Sequence, residues 1–458
     1  MNRAIGIDIG TSKICLLVFD LDSFTVIACE SVDNTATIEL LPKSHHEQDP
    51  IKIWELVISL FDRVKEQTDF VSLIAITGQM HGVMIIDGDN KPITNFITWR
   101  DNRYPVASSS EADALSNGCS MHVGYGANTV LGLLKESKIT SKGCRVISIA
   151  TFIMGMLCDS YCIDETFAAS FGVYDIINRR WNQSQMTNLG LPPDLFGEVV
   201  PSGTPMGFIL PSFAKRFGIP DRVQVCSPVG DNQASIIGSI GFSRLGVLNI
   251  GTSGQFSIPT KTFNYSAAIE VRPFPGFGYL QVYSSLCGGW AYAYLKDFCK
   301  NLLAQFGFQL TDKQIFDRLD ILAQENMNCD TLEVNTLFLG TREDPEKRGS
   351  IQNIDTNNLS IANFAYGFIQ GILKELHHPS ILLNDVPFMV ASGNAVRKSP
   401  LMKQAIEKEF GLPCKIPPFL EEATIGAILL GFSYGNGNET VNAFFENFYN
   451  ERQPVCKP

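Results

Sequence analysis

Ala4–Lys13 reads AIGIDIGTSK, and Val247–Gly254 reads VLNIGTSG. In both stretches a short apolar run leads into Gly-Thr-Ser, so Gly10-Thr11-Ser12 answers to Gly251-Thr252-Ser253. Glycine at the end of a buried strand lets the backbone turn tightly, and the hydroxyls and exposed N–H groups that follow face one anion. That is phosphate-binding chemistry. Two copies in one chain imply two similar halves presenting such turns to a shared nucleotide. The halves are not equivalent, because Asp8 of the first stands where the second has Asn249. One metal-linked carboxylate at a cleft between the halves fits that asymmetry. A lone Gly-Thr-Ser reads equally as an ordinary hairpin turn; the matched flanks set this pair apart.

Around the first turn, Ala4–Asp8 and Ile14–Asp20 read as a hairpin, with a third strand at Val26–Glu30. Asp49-Pro50 has the form of an N-cap followed by proline at the first helical position. Behind it Ile53, Trp54, Val57, Leu60, Phe61 and Val64 recur at helical spacing and predict one buried stripe. Val71–Ile76 reads as a short buried strand that emerges at Thr77-Gly78-Gln79-Met80-His81-Gly82. Three strands, a helix and a further strand in this order match the core of the actin-like, ribonuclease H-like fold. The second half repeats the order more loosely: Gly246–Ile250, a helix around Asn363–His377, then Pro387–Ala391 ending at Ser392-Gly393-Asn394. A helix over Pro400–Phe410 is stopped by Gly411. The expectation is an α/β protein with two actin-like (ribonuclease H-like) domains flanking a central cleft. The boundary falls near Gly241–Gly246, giving domains 1–243 and 244–458. Thr341–Gly349 reads as a surface loop.

At 458 residues the chain is long for one domain and comfortable for two. Its 45% apolar and 18% charged residues belong to large buried cores rather than to disorder. A net charge of −11 with no offsetting basic cluster argues against nucleic acid as a partner. The twelve cysteines are scattered without a Cys-x-x-Cys pair, and no histidine stands near Cys158 and Cys162. Reduced thiols are expected, and no zinc site at that pair. The N-terminus runs straight into a strand, and no apolar run approaches the length of a membrane span. A cytoplasmic protein with no membrane partner is therefore expected.

Seven segments carry a family resemblance. GIDIGTSK near the start, GQMHG at Gly78–Gly82, TWRDNR at Thr98–Arg103 and GDNQAS at Gly230–Ser235 come first. NIGTSGQF at Asn249–Phe256, SLCGGW at Ser285–Trp290 and ASGNAVRKSPLMKQ at Ala391–Gln404 complete the series. In this order they resemble the carbohydrate kinases of the FGGY family, over nearly the whole chain. The resemblance implies ATP-dependent phosphorylation of a sugar hydroxyl, with ATP and Mg2+ as cofactors and a small-molecule sugar as partner. A homodimer stands open as the assembly. Within the family the chain is most similar to sedoheptulokinases and next to xylulokinases. Gln233 within GDNQAS, Ser392-Gly393-Asn394-Ala395 and Gly124-Tyr125-Gly126-Ala127-Asn128-Thr129 before the amphipathic run Val130–Lys135 lean toward the sedoheptulose branch.

Phosphoryl transfer asks a protein to position an acceptor hydroxyl in line and to neutralise spreading negative charge. Asp231, between Gly230 and Asn232 at a strand end, matches the family's catalytic base; by composition alone it reads as a helix N-cap. Asp8 matches the acid beside metal and triphosphate, and one aspartate near a phosphate turn suffices for magnesium. Thr11, Ser12 and Lys13 follow as phosphate contacts, Lys13 reading equally as a solvated lysine. Gly251 and Thr252 serve the second turn. Gly289 and Gly393-Asn394-Ala395 match the stretches that flank adenosine, with Asn394 a departure from the usual second glycine. Gln79, Met80, His81, Trp99, Asp101 and Asn232 carry over as sugar contacts. Trp99 reads equally as core packing. A second class of function stays open, an actin-fold protein that binds nucleotide or sugar without turnover. The retention of both Asp8 and Asp231 favours the kinase.

Overall fold

The first sheet grows from the Gly-Thr-Ser hairpin. Strands β1 (Arg3–Ile9) and β2 (Lys13–Asp20) pair antiparallel, and β3 (Thr25–Asp33) pairs with β2. The third strand is longer than its apolar core, because its residues alternate in exposure at the sheet edge. The structure is a computed structural model and describes residues 2–106, 118, 120–140, 142–266, 269–327, 332–341, 344, 346–378 and 383–451. Helix α1 (Pro50–Val64) starts where expected, with the Asp49 side chain accepting from Ile51 and Lys52, and buries Ile53, Val57, Leu60, Phe61 and Val64. Strand β4 (Val71–Gly78) then returns parallel to β1. Strands β5 (Pro205–Phe208), β6 (Gln224–Cys226) and β7 (Val229–Gly230) finish this sheet in the order β5–β6–β4–β1–β2–β3, with β7 also on β4.

Helix α2 (Asp231–Ile240) leads into a second sheet. It contains β8 (Gly246–Ile250), β9 (Gly254–Thr260), β10 (Glu270–Phe274) and β11 (Gly278–Ser285). After α3 (Gly289–Gln305) and α4 (Ile361–Leu376) come β12 (Met389–Ser392), α5 (Asn394–Lys398), α6 (Pro400–Phe410) and β13 (Cys414–Lys415). The order β10–β11–β9–β8–β12–β13 repeats the first sheet's plan, with β8 in the place of β1 and β12 in the place of β4. Gly411 ends α6 in the left-handed region at φ 65°. The helix Gly126–Lys135 is buried from Gly126 through Leu133, so the stretch expected to be amphipathic is enclosed almost all round. Among the described residues of Thr341–Gly349 there is neither helix nor strand. Among the described residues no helix is long and apolar enough to cross a membrane.

Alternation along β1 and β2 decides what faces the second sheet. Ile5, Ile7, Ile9, Ile14, Leu16 and Val18 enter one core with α1, whereas Ala4, Leu17 and Phe19 enter another that runs on into the second half. Gly6 and Asp8 belong to the latter face. Covering it is α7 (Glu422–Asn436), which crosses α2 at very close range. A Cβ at Gly426 would collide with the Ala234 carbonyl oxygen, and one at Gly238 with that of Glu422. Glycine at both positions is what lets two backbones touch.

Candidate active site

Three parallel strand ends converge. Asp8 on β1 lies in register with Thr77 on β4, and Thr77 with Val229 on β7. Gly230 ends β7 beside Gly78, and the chain turns into α2 with Asp231 in its first turn. The N-cap is Gly230, so Asp231 is not the capping residue that composition alone proposed. The Gly230 amide donates to Thr166 Oγ1 at 2.7 Å and fixes this turn.

Two carboxylates thus sit close enough to feel one another. Burial pushes Asp8 from 3.8 up to about 7, with Asp231 and Glu421 adding to the rise and Lys13 opposing it. Burial likewise lifts Asp231 to about 6, against the Asn232 amide and Arg272. Asp8 Oδ1 is buried with no hydrogen-bond partner. Folding therefore holds a proton on Asp8 more tightly than the unfolded chain does. The stability this gives is full below about pH 4 and is lost as pH rises through about 7. Asp8→Asn is accordingly expected to stabilise the fold above pH 7 by on the order of 1–2 kcal/mol, seen as a higher melting temperature. The gain should vanish toward pH 4. Melting curves across that range check it, and a variant less stable than wild type at pH 8 would refute it.

On the first turn, Thr11 is woven into the neighbouring polar groups. Its hydroxyl donates to Gln79 Oε1 at 3.2 Å and accepts from Trp99 Nε1 at 3.0 Å. Gln48 Nε2 donates to the Thr11 carbonyl at 2.9 Å, and Gln79 Nε2 to Gln48 Oε1 at 2.9 Å. Ser12 is exposed. Lys13 is not simply solvated, for its amine holds Glu421 at 2.7 and 2.9 Å.

Beyond β4, Met80 is buried, and His81 adopts φ 69°, a region that costs a histidine strain. Its amide donates to Ser170 Oγ at 3.1 Å, and its ring stacks on Tyr125 at 4.2 Å. Trp99 is 44% exposed with the Arg100 guanidinium 5.3 Å from its ring, which removes the core-packing reading. Asp101 is buried; it accepts Arg103 Nε at 2.9 Å and the His46 amide at 2.8 Å, and so holds the segment before Glu47. Asn232 Nδ2 donates to Gln255 Oε1 at 2.7 Å, while its Oδ1 accepts Arg272 Nη1 at 2.9 Å. Those bonds tie the start of α2 to two strands of the second sheet.

The second turn gathers its own group. Gly289 and Gly288 donate to the carbonyls of Gly251 and Thr252 at 2.8 and 3.0 Å. Gly393, at φ 95°, packs so near that a Cβ there would overlap the Ile250 carbonyl. Ala395 reaches the same place, its Cβ 3.8 Å from where a Cβ on Gly289 would lie. Asn394 opens α5, and its side chain lies outside the described part of the structure. Asn249 stands in register with Ser392 as Asp8 does with Thr77, so the acid-for-amide exchange falls on equivalent positions.

The description "FGGY family of carbohydrate kinases, N-terminal domain" matches residues 3–238, more than half of the chain. The chain belongs to the FGGY family. It is accordingly a carbohydrate kinase, and family membership implies ATP as the phosphoryl donor. This FGGY kinase is 25% identical over 446 residues to the sedoheptulokinase of Mus musculus, covering 89% of this chain and 93% of the relative. It is 23% identical to the xylulose kinase of Staphylococcus epidermidis, covering 97% and 90% of the two chains. The crystal structure of xylulose kinase from Rhodospirillum rubrum superposes with a TM-score of 0.85 at 18% identity, covering 98% of this chain and 97% of that one. The FGGY kinase fold of two actin-like domains is thereby established.

Several residues that sequence reasoning missed adjoin the candidate site. Arg272 is buried and forked onto Glu270, at 3.0 Å from Nε and 2.7 Å from Nη2, and Tyr125 donates to Glu270 at 3.3 Å. The available signal was Glu-Val-Arg on a strand, which puts an acid and a base on one face. Asn34, whose Nδ2 donates to the Gly10 carbonyl at 2.9 Å, and Gln48, Gln255 and Glu421 carried no local signal.

Proposed function

We propose that the chain transfers the γ-phosphoryl group of ATP to a hydroxyl of a ketose, sedoheptulose first, giving sedoheptulose 7-phosphate. The observation that carries the sugar assignment is the end-to-end similarity to a sedoheptulokinase. Xylulose is the runner-up, favoured by the equally long match to a xylulose kinase.

In this reading domain 1–243 holds the sugar and the base, and domain 244–458 the nucleotide. Asp231 takes the hydroxyl proton as the new oxygen–phosphorus bond forms, and ADP leaves. A carboxylate lifted to about 6 is still ionised at neutral pH yet more basic than a solvated one. Gln79, Met80, His81 and Trp99 orient the ketose, Asn232 anchors the base's turn to Arg272, and Asp101 positions the loop beneath. Thr11, Ser12 and Lys13 from one side and Gly251 and Thr252 from the other offer donors to the phosphates; Gly289, Gly393, Asn394 and Ala395 flank adenosine. A buried carboxylate oxygen without a partner is the hard donor that magnesium takes, so Asp8 fits that ion. Bound there, magnesium would neutralise part of the triphosphate charge.

The test is a panel of sedoheptulose, xylulose, ribulose and fructose with ATP and Mg2+, following ADP release. Sedoheptulose should show the highest kcat/KM, by about tenfold or more, a difference of roughly 1.4 kcal/mol in transition-state binding. A maximum at xylulose transfers the assignment to the runner-up. No turnover with any ketose overturns the ketose reading.

A further inference from the structure

Cys15 and Cys29 carry no metal signature in sequence, being separated by 14 positions. The fold joins them. On the β2–β3 ladder Cys15 pairs with Ser31 and Cys29 with Leu17, so the two thiols are diagonal neighbours on one face. Their sulfurs lie 3.8 Å apart. Glu421, at the N-terminus of α7, brings a carboxylate oxygen within 4.8 Å of both. Both cysteines are free; Cys29 is exposed and Cys15 buried, so a solute reaches the group from one side only.

We propose that Cys15, Cys29 and Glu421 form a binding site for a thiophilic divalent cation, zinc above all, separate from the Asp8 position. Zinc bonded at about 2.3 Å to two thiolates in a tetrahedron sets the sulfurs about 3.8 Å apart, and a carboxylate and a water complete four ligands. The observed sulfur separation is that edge. Two soft sulfurs select zinc against magnesium, which asks for oxygen alone. Binding replaces the two thiol protons with one Zn2+ and releases them to solvent, with no change of oxidation state.

The site bears on the kinase without depending on which sugar it uses. Glu421 is the carboxylate that holds the Lys13 amine at 2.7 and 2.9 Å. Cys15 stands directly opposite Asp8 on the β1–β2 ladder, so both point to the same face. An ion at the thiols draws Glu421 off Lys13; the two thiolates cancel the charge of the ion, so what changes is the anchoring of the Lys13 amine that faces the phosphates. Zinc occupancy therefore lowers turnover.

The experiment uses the full chain as wild type, Cys29→Ser and Glu421→Gln, dialysed against Zn2+ with a phosphine reductant, the retained metal being counted by atomic emission. Co2+ serves as the optical probe. Wild type should retain one more zinc per chain than Cys29→Ser, show a thiolate-to-cobalt charge-transfer band that the variant lacks, and lose zinc more readily as Glu421→Gln. Added Zn2+ should slow wild type but not Cys29→Ser, whose rate in Mg2+ alone should equal that of wild type. Cys29 is exposed, so its serine variant keeps the fold, which a melting curve verifies. Equal zinc in wild type and Cys29→Ser overturns the site, as does a Cys15–Cys29 disulfide formed in air by a chain whose reduced form retains no zinc. Zinc retained with turnover unchanged overturns the link to Lys13.

Discussion

Asp231→Asn is expected to cut turnover by about 10²–10⁴-fold while leaving ATP affinity nearly unchanged. The amide keeps the shape of the carboxylate and its place in the first turn of α2, but it cannot take a proton. Because burial lifts Asp231 to about 6, wild-type kcat/KM should also fall as pH drops through that value, when the base becomes protonated before it can act. The variant should lose that limb of the profile. Steady-state kinetics from pH 5 to 9 with saturating Mg2+ measure both. Activity within threefold of wild type, roughly 0.7 kcal/mol of barrier, would sink the role assigned to this carboxylate.

Gly426→Ala should damage stability far beyond what one methyl group suggests. In an exposed helix, alanine replacing glycine stabilises by up to about 1 kcal/mol. Here the new methyl would have to occupy the space of the Ala234 carbonyl oxygen, backbone against backbone, with no flexible side chain to give way. Over-packing of this kind costs about 1–3 kcal/mol and occasionally more, and the upper end is expected because α2 and α7 would have to separate. Gly435 lies on the same helix with nothing within 4 Å of a built Cβ, so Gly435→Ala is the matched control and should be neutral or stabilising. Thermal melts of the three proteins decide it. Equal melting temperatures for Gly426→Ala and Gly435→Ala would show that the crossing yields without cost.

Much of the scaffold was legible because its signals are local. Apolar alternation ending in Gly-Thr-Ser marks β1 and β8 from neighbours a few residues away, and Asp49-Pro50 marks α1. Boundaries slipped where tertiary context acts: Val26–Glu30 became Thr25–Asp33 because the β2 ladder extends pairing over exposed residues. In the candidate site, motif order named positions but not partners. Nothing beside Asp101 in sequence announces that its oxygens go to Arg103 and the His46 amide. Arg272 contacts Asn232 from 40 positions away, on a strand of the other sheet. Lys13 and Glu421 are 408 positions apart, so only the folded chain displays their pairing. The Cys15–Cys29 juxtaposition depends on strand register, which a count of cysteines does not contain.

The Asn232–Arg272 bond has a consequence for how sugar affinity should be interpreted. Beside it Met80, Tyr125, Thr166, Ser170, Glu270 and Arg272 line a cavity of about 30 Å³. If sugar enters only after Arg272 has let go of Asn232, the bond works as a latch. Apparent affinity then equals the intrinsic affinity scaled by the fraction of unlatched molecules. Two kinases with identical sugar contacts would differ in measured Kd through the strength of this one guanidinium–amide contact alone. Substrate preference and substrate affinity would then be tuned by different residues, one set touching the sugar and the other setting how often the door is open.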